Sequence, residues 1–256
     1  MHAGAGLVAA AGTLQAASAL TWWPAVRRQL PRLHGTGSPD HLALTFDDGP
    51  DPESTPRLLD LLADLGVRAT FFVLGSMVAV APDLTRRLVT DGHELGLHGW
   101  HHRNSLLVAP VALRRSLVRA LDTVQEVAGT RPVLYRPPYG VVTGGTLWAA
   151  HSLGLSTVLW GAWGQDWSVR ATPSTVLRSL APDVRGGATV LLHDSDCTSS
   201  PGAWRSMLGA VRPLVDGARD AGLRVGPLGE HELAAHGPVS PHRCQAGPVG
   251  RRPREA

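Results

Sequence analysis

At 256 residues, with 43% hydrophobic and 18% charged residues, the chain holds enough apolar material for a substantial core and is not a low-complexity or disordered polymer. All 24 basic residues are arginine, set against 21 acidic ones. The net charge of +3 is small and lacks the aromatic interleaving of a nucleic-acid binder, so no nucleic-acid partner is expected. Cys197 and Cys244, the only cysteines, make neither a disulfide framework nor a CxxC spacing; two free thiols are the simpler reading, with a bridge between them the alternative.

Residues 1–26 contain no Asp, Glu, Lys or Arg, and the Ala/Gly/Leu-rich run 3–23 is just long enough to span a bilayer. It is interrupted by Thr13, Gln15 and Ser18 and has no basic n-region, so it does not read as a cleavable signal. Arg27, Arg28 and Arg32 follow it, which in a spanning segment would leave the rest of the chain cytoplasmic. A weak membrane anchor, an interfacial helix with Trp22 and Trp23 at the headgroup boundary, and a helix packed on the following domain stay open, and localisation with them. The organisation expected is an apolar segment and linker over 1–38, a catalytic domain over 39–232, and a Pro/Gly/Arg-rich tail over 233–256 that includes Arg251, Arg252 and Arg254.

From residue 41 onward, short apolar runs alternate with amphipathic stretches. Strands are expected over 41–46, 68–74, 94–98, 133–136, 156–160, 189–193 and 224–225, and helices over 55–65, 82–90, 110–128, 146–153, 173–180 and 204–221. Ser54-Thr55-Pro56 and Thr172-Pro173 read as helix starts, while Gly66, Gly92, Gly129, Gly154 and Gly222 read as stops. Seven strands alternating with six helices imply an α/β fold with a parallel sheet, because parallel neighbours need crossovers. A (β/α) barrel is favoured over an open doubly wound sheet. Asp47, Asp48, His98, Arg136 and His193 all fall at or just past strand C-termini, which converge on one face in a barrel. The turn after the first strand is Asp-Asp-Gly-Pro-Asp-Pro, the reverse of a phosphate-binding glycine loop.

The chemistry centres on Thr45-Phe46-Asp47-Asp48-Gly49-Pro50 and His98-Gly99-Trp100-His101-His102. Asp48, His98 and His102 are expected to hold a metal: two histidines at i and i+4 project from one side of a helical turn, and three protein ligands leave a position open for water. His101 could replace one ligand; the bland reading makes the histidines a surface turn. Asp47 is the expected general base, since a cation neutralises its neighbour and leaves it free to take a proton. In Arg136-Pro137-Pro138-Tyr139-Gly140 the prolines stiffen the turn and Gly140 permits an unusual dihedral. Arg136 is expected to orient Asp47 and hold its pKa down, and the Tyr139 N–H to serve as an oxyanion donor. His193, in Leu191-Leu192-His193-Asp194, is the candidate general acid.

Taken in this order, the segments resemble the polysaccharide deacetylases (the NodB-like domain, carbohydrate esterase family four), over roughly residues 39–230. The resemblance implies a distorted (β/α) barrel and a divalent metal, usually zinc with Co2+, Ni2+ or Mn2+ as alternatives. It implies an acetylated glycan as substrate, losing N-acetyl or in some members O-acetyl groups. By the same resemblance Asp47 is base, Asp48, His98 and His102 are ligands, Arg136 and Tyr139 support the site, and His193 is acid. Two departures stand out: Gly99 replaces the usual Ser or Thr, and Trp163-Gly164-Gln165-Asp166-Trp167 keeps only the second aspartate of its motif. Asp166 is therefore a candidate partner for Arg136 or His193, while Trp163 and Trp167 suit either a sugar-stacking groove or the core. The competing readings are a small-amide hydrolase with the same metal site, in a closed pocket, and a non-catalytic glycan-binding protein.

Overall fold

The computed structural model describes residues 20–233, so most of the 3–23 segment, the C-terminal tail and Cys244 lie outside the described residues. Eight strands form one parallel sheet: β1 His41–Asp47, β2 Thr70–Leu74, β3 Glu94–Gly99, β4 Leu134–Tyr135, β5 Ser156–Thr157, β6 Ala162–Trp163, β7 Thr189–His193 and β8 Arg224–Gly226. Seven lie along the path β5-β4-β3-β2-β1-β7-β6, the curled, distorted barrel the sequence predicts; β8 pairs with β1 off that path. β1 is buried along its whole length, as a strand covered on both faces must be, and its apolar run needs no alternation.

The distortion has two sources. Ala43 of β1 pairs with Thr189 on one side and Gly226 on the other, so β8 takes the N-terminal half of β1 and β2 takes only Thr45 to Asp47. At the other break, β5 and β6 are joined by no ladder, and the chain crosses directly between them without a helix. A single strand over 156–160 is therefore not what forms: β5 stops at Thr157, and Ala162–Trp163 makes a separate short pairing with β7.

Six helices fall where the periodicity places them: α2 Thr55–Leu65, α4 Pro82–Thr90, α5 Pro110–Ala128, α6 Gly144–His151, α7 Pro173–Leu180 and α8 Trp204–Asp220, after a short α1 at Pro24–Gln29 and with α3 at Gly75–Val80. On α2, Leu58, Leu59, Leu62 and Leu65 all point into the core, and the helix ends on Gly66 in the left-handed conformation (φ 60°). The two expected caps differ. Thr172 closes a reciprocal capping box with Thr175 (3.2 and 2.8 Å). Ser54 does not cap α2; its hydroxyl donates instead to the Asp194 carbonyl at 2.5 Å, tying the helix start to the loop after β7.

The segment before β1 packs on the barrel. Arg27 Nη2 donates to the Gly161 carbonyl (2.6 Å), Leu159 N–H donates to the Leu33 carbonyl (2.6 Å), and the Trp22 indole meets Trp160 with ring centroids 4.8 Å apart. Of the residues expected at a headgroup boundary, Trp22 is thus engaged by the domain, and Trp23 is exposed. Among the described residues no helix is long and apolar enough to cross a membrane.

Candidate active site

Strand register assembles the site. β1 and β7 run side by side with Asp47 opposite His193, and Arg136 follows β4, next to β3. Asp47, His98, His102, Tyr139 and His193 consequently line one cleft of about 550 Å³ at the C-terminal ends of the strands.

Asp48 turns out of β1 with φ 81°, a conformation that costs a non-glycine residue energy and must be held by its surroundings. The hold is local. Asp48 N–H donates to the Phe72 carbonyl (3.3 Å), Thr198 Oγ1 donates to Asp48 Oδ2, and Gly49 N–H donates to Asp194 Oδ1 (3.0 Å). Residue 49 must be glycine, since a Cβ there would sit 2.0 Å from Asp194 Oδ2. Burial pushes the Asp194 carboxyl up to about 7, with the nearby Asp48 charge adding to the shift, while Thr55 and the Gly49 amide oppose it.

With Asp48 in this pose, its Oδ1 lies 3.4 Å from His98 Nε2 and 3.6 Å from His102 Nε2, and the three ligand atoms are within 4.8 Å of one another. Oδ1 is buried and has no hydrogen-bond partner. His98 Nδ1–H donates to the Arg136 carbonyl (2.7 Å), which fixes the tautomer and leaves the Nε2 lone pair facing Asp48. Burial pushes His98 down to about 3, so the imidazole is neutral, as a ligand must be. A buried carboxylate oxygen facing the His98 lone pair and the His102 Nε2, and making no hydrogen bond, belongs to a donor set that a divalent cation fits. The helical turn expected between the histidines does not form. His98 is the penultimate residue of β3, the chain reverses through non-helical residues after Gly99, and the two rings meet with centroids 5.1 Å apart. His101 is exposed, packs edge-on against Trp100 and takes no part in the cluster. Gly99, which replaces the usual hydroxyl residue, has φ 120°, a backbone conformation open to glycine and strained for serine or threonine.

Asp47 faces a different environment. Arg136, fully buried, donates from Nη1 to Asp47 Oδ1 and to Thr45 Oγ1 (2.7 Å each) and from Nη2 to the Leu159 carbonyl (3.0 Å), with its guanidinium over Phe72 at 4.0 Å. The expectation that Arg136 holds the Asp47 pKa down is half of the balance. Burial outweighs it and shifts Asp47 upward, with Arg136, His193 and His102 pulling the other way. The second oxygen, Oδ2, lies 3.8 Å from His98 Nε2.

Asp166 partners His193, not Arg136. Its Oδ1 accepts from His193 Nδ1 (2.9 Å) and its Oδ2 accepts the His193 backbone N–H (2.8 Å). Burial opposes charge on His193, but Asp166, through its charge and hydrogen bond, and the charges of Asp48 and Asp47 together outweigh it and push the imidazole up to about 9. Tyr139 sits in the left-handed region (φ 59°) with its ring exposed and edge-on to His102 at 4.3 Å. Gly140 follows with φ 64°, where a Cβ would lie 2.8 Å from both Trp22 and Trp160.

Trp163 and Trp167 are 38% and 42% exposed and stack with centroids 6.2 Å apart; with Trp160 and Trp22 they line the cleft, so they are not core residues. Sequence reasoning missed Trp22, Asp194 and Thr198. Asp194 adjoins the quoted histidine motif, but nothing in the spacing of Thr198 points to Asp48. Cys197 is a free cysteine, exposed as a residue but with its thiol turned inward to donate to the Asp48 carbonyl (3.8 Å); burial of the sulfur, and then the Asp48 charge, push the thiol up to about 11.

The chain resembles known proteins over this same region. A family profile described as Polysaccharide deacetylase matches residues 34–158. A chitooligosaccharide deacetylase of Bradyrhizobium sp. (strain ANU 289) is 37% identical over 212 residues, 80% of this chain and 94% of that protein. A peptidoglycan-N-acetylglucosamine deacetylase of Listeria monocytogenes, PgdA, is 33% identical over 67% of this chain, which spans only 36% of that longer protein. Among solved structures, the Bc1960 peptidoglycan N-acetylglucosamine deacetylase superposes with a TM-score of 0.75 at 26% identity, covering 84% of this chain and 99% of that one. At 37% identity over 80% of its length to the first of these relatives, this chain belongs to the polysaccharide deacetylase family, hydrolases acting on carbon–nitrogen bonds other than peptide bonds.

Proposed function

We propose that the protein removes N-acetyl groups from an amino-sugar polymer or oligomer in a cation-dependent reaction. One observation carries this reading: the two adjacent carboxylates have been given separate partners, Asp48 two imidazoles and Asp47 an arginine. Asp48, His98 and His102 would hold a divalent cation, zinc in the first instance, which when bound polarises the acyl carbonyl and acidifies water. Asp47, with Oδ1 taken by Arg136, accepts the proton of the attacking water at Oδ2. The upward shift that burial imposes brings this base nearer to neutral pH, where a general base is most effective. In this reading the Tyr139 N–H is the donor to the developing oxyanion, an interaction worth about 3–4 kcal/mol at the transition state. His193, charged and held through Nδ1 by Asp166, delivers the Nε2 proton to the departing amine.

The cleft supports a glycan over a small amide. Its wall carries four indoles, two of them well exposed, and flat apolar faces with nearby polar groups suit pyranose rings. The relatives named as chitooligosaccharide and peptidoglycan deacetylases support the same substrate class. Acetate release from chitooligosaccharides should be abolished by chelation and restored by zinc or cobalt; full turnover in metal-free protein would defeat the scheme.

A further inference from the structure

Trp22 lines the catalytic cleft, yet it lies outside residues 34–158 that match the family profile and comes from the segment packed on the barrel before β1. That segment is fastened at points that do not involve the Trp22 side chain. Arg27 Nη2 donates to the Gly161 carbonyl and Thr189 Oγ1 to the Gly35 carbonyl (2.6 Å each), and His34 Nε2–H donates to the Thr21 carbonyl (2.8 Å). The buried His34 ring stands edge-on to Trp22 with centroids 5.2 Å apart, and Trp160 packs against it at 4.8 Å. The indole therefore reaches the cleft half-buried and in one orientation.

What it meets there is the Pro138–Gly140 turn. Tyr139 (φ 59°) is a non-glycine residue in the left-handed region, a conformation that persists only where its surroundings hold it. The turn's own bonds run from Gly140 N–H to the Pro137 carbonyl (3.0 Å) and from Val141 N–H to the Pro138 carbonyl (3.3 Å). Among the described residues, one hydrogen bond reaches residues 137–141 from outside the turn: Trp22 Nε1–H donates to the Gly140 carbonyl (3.4 Å). Packing closes the same joint. A Cβ at Gly140 would lie 2.8 Å from Trp22 and 2.8 Å from Trp160, so the turn backbone rests against both indoles with no space to spare.

We propose that Trp22 is a positioning residue for the hydrolysis: it holds the Pro138–Gly140 turn, and with it the Tyr139 N–H. The inference rests on the deacetylase reading, in which that N–H is the oxyanion donor, and extends it to a residue outside the matched family region. An oxyanion donor acts in the transition state and contributes little to ground-state binding. A turn released from its hold should therefore lower kcat and leave KM almost unchanged, whereas an indole that only stacks on a sugar ring should do the reverse.

The test compares full-length, cation-loaded wild type, Trp22→Phe and Trp22→Ala. Phenylalanine keeps a ring against Gly140 and loses the N–H; alanine loses both. The kcat for acetate release from a chitooligosaccharide should fall about threefold in the first and on the order of tenfold to a hundredfold in the second, with KM and bound cation unchanged. A second readout needs no turnover. Tyr139-Gly140 is the only Tyr-Gly pair in the chain, so protein labelled with 13C at the tyrosine carbonyl and 15N in glycine gives one amide-to-carbonyl correlation, that of Gly140. It should be single and sharp in wild type and broadened or doubled in Trp22→Ala, while the glycine amides away from the turn keep their linewidths. Unchanged kcat in Trp22→Ala overturns the proposal, as does a raised KM with kcat intact. Loss of the cation, or broadening across all the glycine amides, makes Trp22 a general stabiliser of the fold and overturns it too. A wild type that releases no acetate defeats the deacetylase reading, and the Gly140 correlation then decides by itself whether Trp22 holds the turn.

Discussion

His98 and His102 lie beside the C-terminal end of β1 with ring centroids 5.1 Å apart, and His41 and His231 lie at its N-terminal end at the same 5.1 Å. Both pairs are largely buried, and burial lowers all four pKa values. The nitrogens point differently. At the lower end, His231 Nε2–H is shared by the Gly35 and Gly187 carbonyls (3.1 Å each), so its Nδ1 accepts from His41 Nδ1–H at 2.8 Å; the rings spend these nitrogens on each other, and only His41 Nε2 is left buried without a hydrogen bond. At the upper end, His98 spends its one N–H on the Arg136 carbonyl, and both Nε2 atoms converge on Asp48 Oδ1. Proximity of two histidines therefore says little. A ligand set arises where lone pairs meet at a third donor, and among the described residues only the upper end provides one.

Substitutions that exchange these arrangements should have the largest effect at the upper end. Asp48→Asn and His98→Ala should lose bound metal, measured by elemental analysis, and acetate release together. Asp47→Asn should retain the metal yet lose turnover by about a thousandfold or more, because the base is gone while the ligands stay. His41→Asn should keep both metal and activity. Activity surviving Asp47→Asn would return that residue to the role of a turn former. Next in size is Asp166→Asn. With Asp166 in place His193 titrates at about 9, so the acid form, and turnover with it, is lost as pH rises through 9. Without that carboxylate burial dominates, and the alkaline limb of the kcat profile should move toward neutrality with a loss on the order of tenfold to a hundredfold at pH 8. An unmoved limb would remove Asp166 from the proton-transfer account.

Much of this was legible in the chain because strand C-termini in a parallel barrel share one face. Asp47, Asp48, His98, Arg136 and His193 could be gathered without coordinates, since each ends or follows an apolar run. What failed was local geometry. The His98–His102 spacing suggested a helical turn, yet the same i, i+4 pair meets through a chain reversal after β3, where Gly99 supplies φ 120°. β6 was invisible because two residues, Ala162 and Trp163, carry no periodicity and gain their strand character from pairing with β7. α1 and α3, six residues each, are too short to display an amphipathic repeat. Trp22 belonged to a run whose composition suggested a membrane, and its indole reaches the Gly140 carbonyl (3.4 Å) only because the segment folds back over the gap between β5 and β6. Contacts of that kind depend on tertiary placement and leave no mark in spacing.

The smallest predicted effect concerns stability at the lower end of β1. Burial, helped by the neighbouring His41, lowers His231 to about 4, against an unfolded value of 6.5. Between those values the unfolded chain binds a proton at this position and the folded one does not. Stability is therefore fully present above pH 6.5 and is lost as pH falls toward 4, by about 2 kcal/mol between pH 7 and pH 5. Asp194, pushed up to about 7, works in the opposite sense, because its folded form takes up a proton that the unfolded chain releases. The raw pH profile of stability mixes the two. The difference between wild type and His231→Asn, followed by urea unfolding at pH 5, 6 and 7, isolates the histidine, and wild type should lose stability more steeply on acidification. If the two proteins show the same slope, the paired rings at this end are not what resists protonation, and the buried carboxylates above them govern the whole profile.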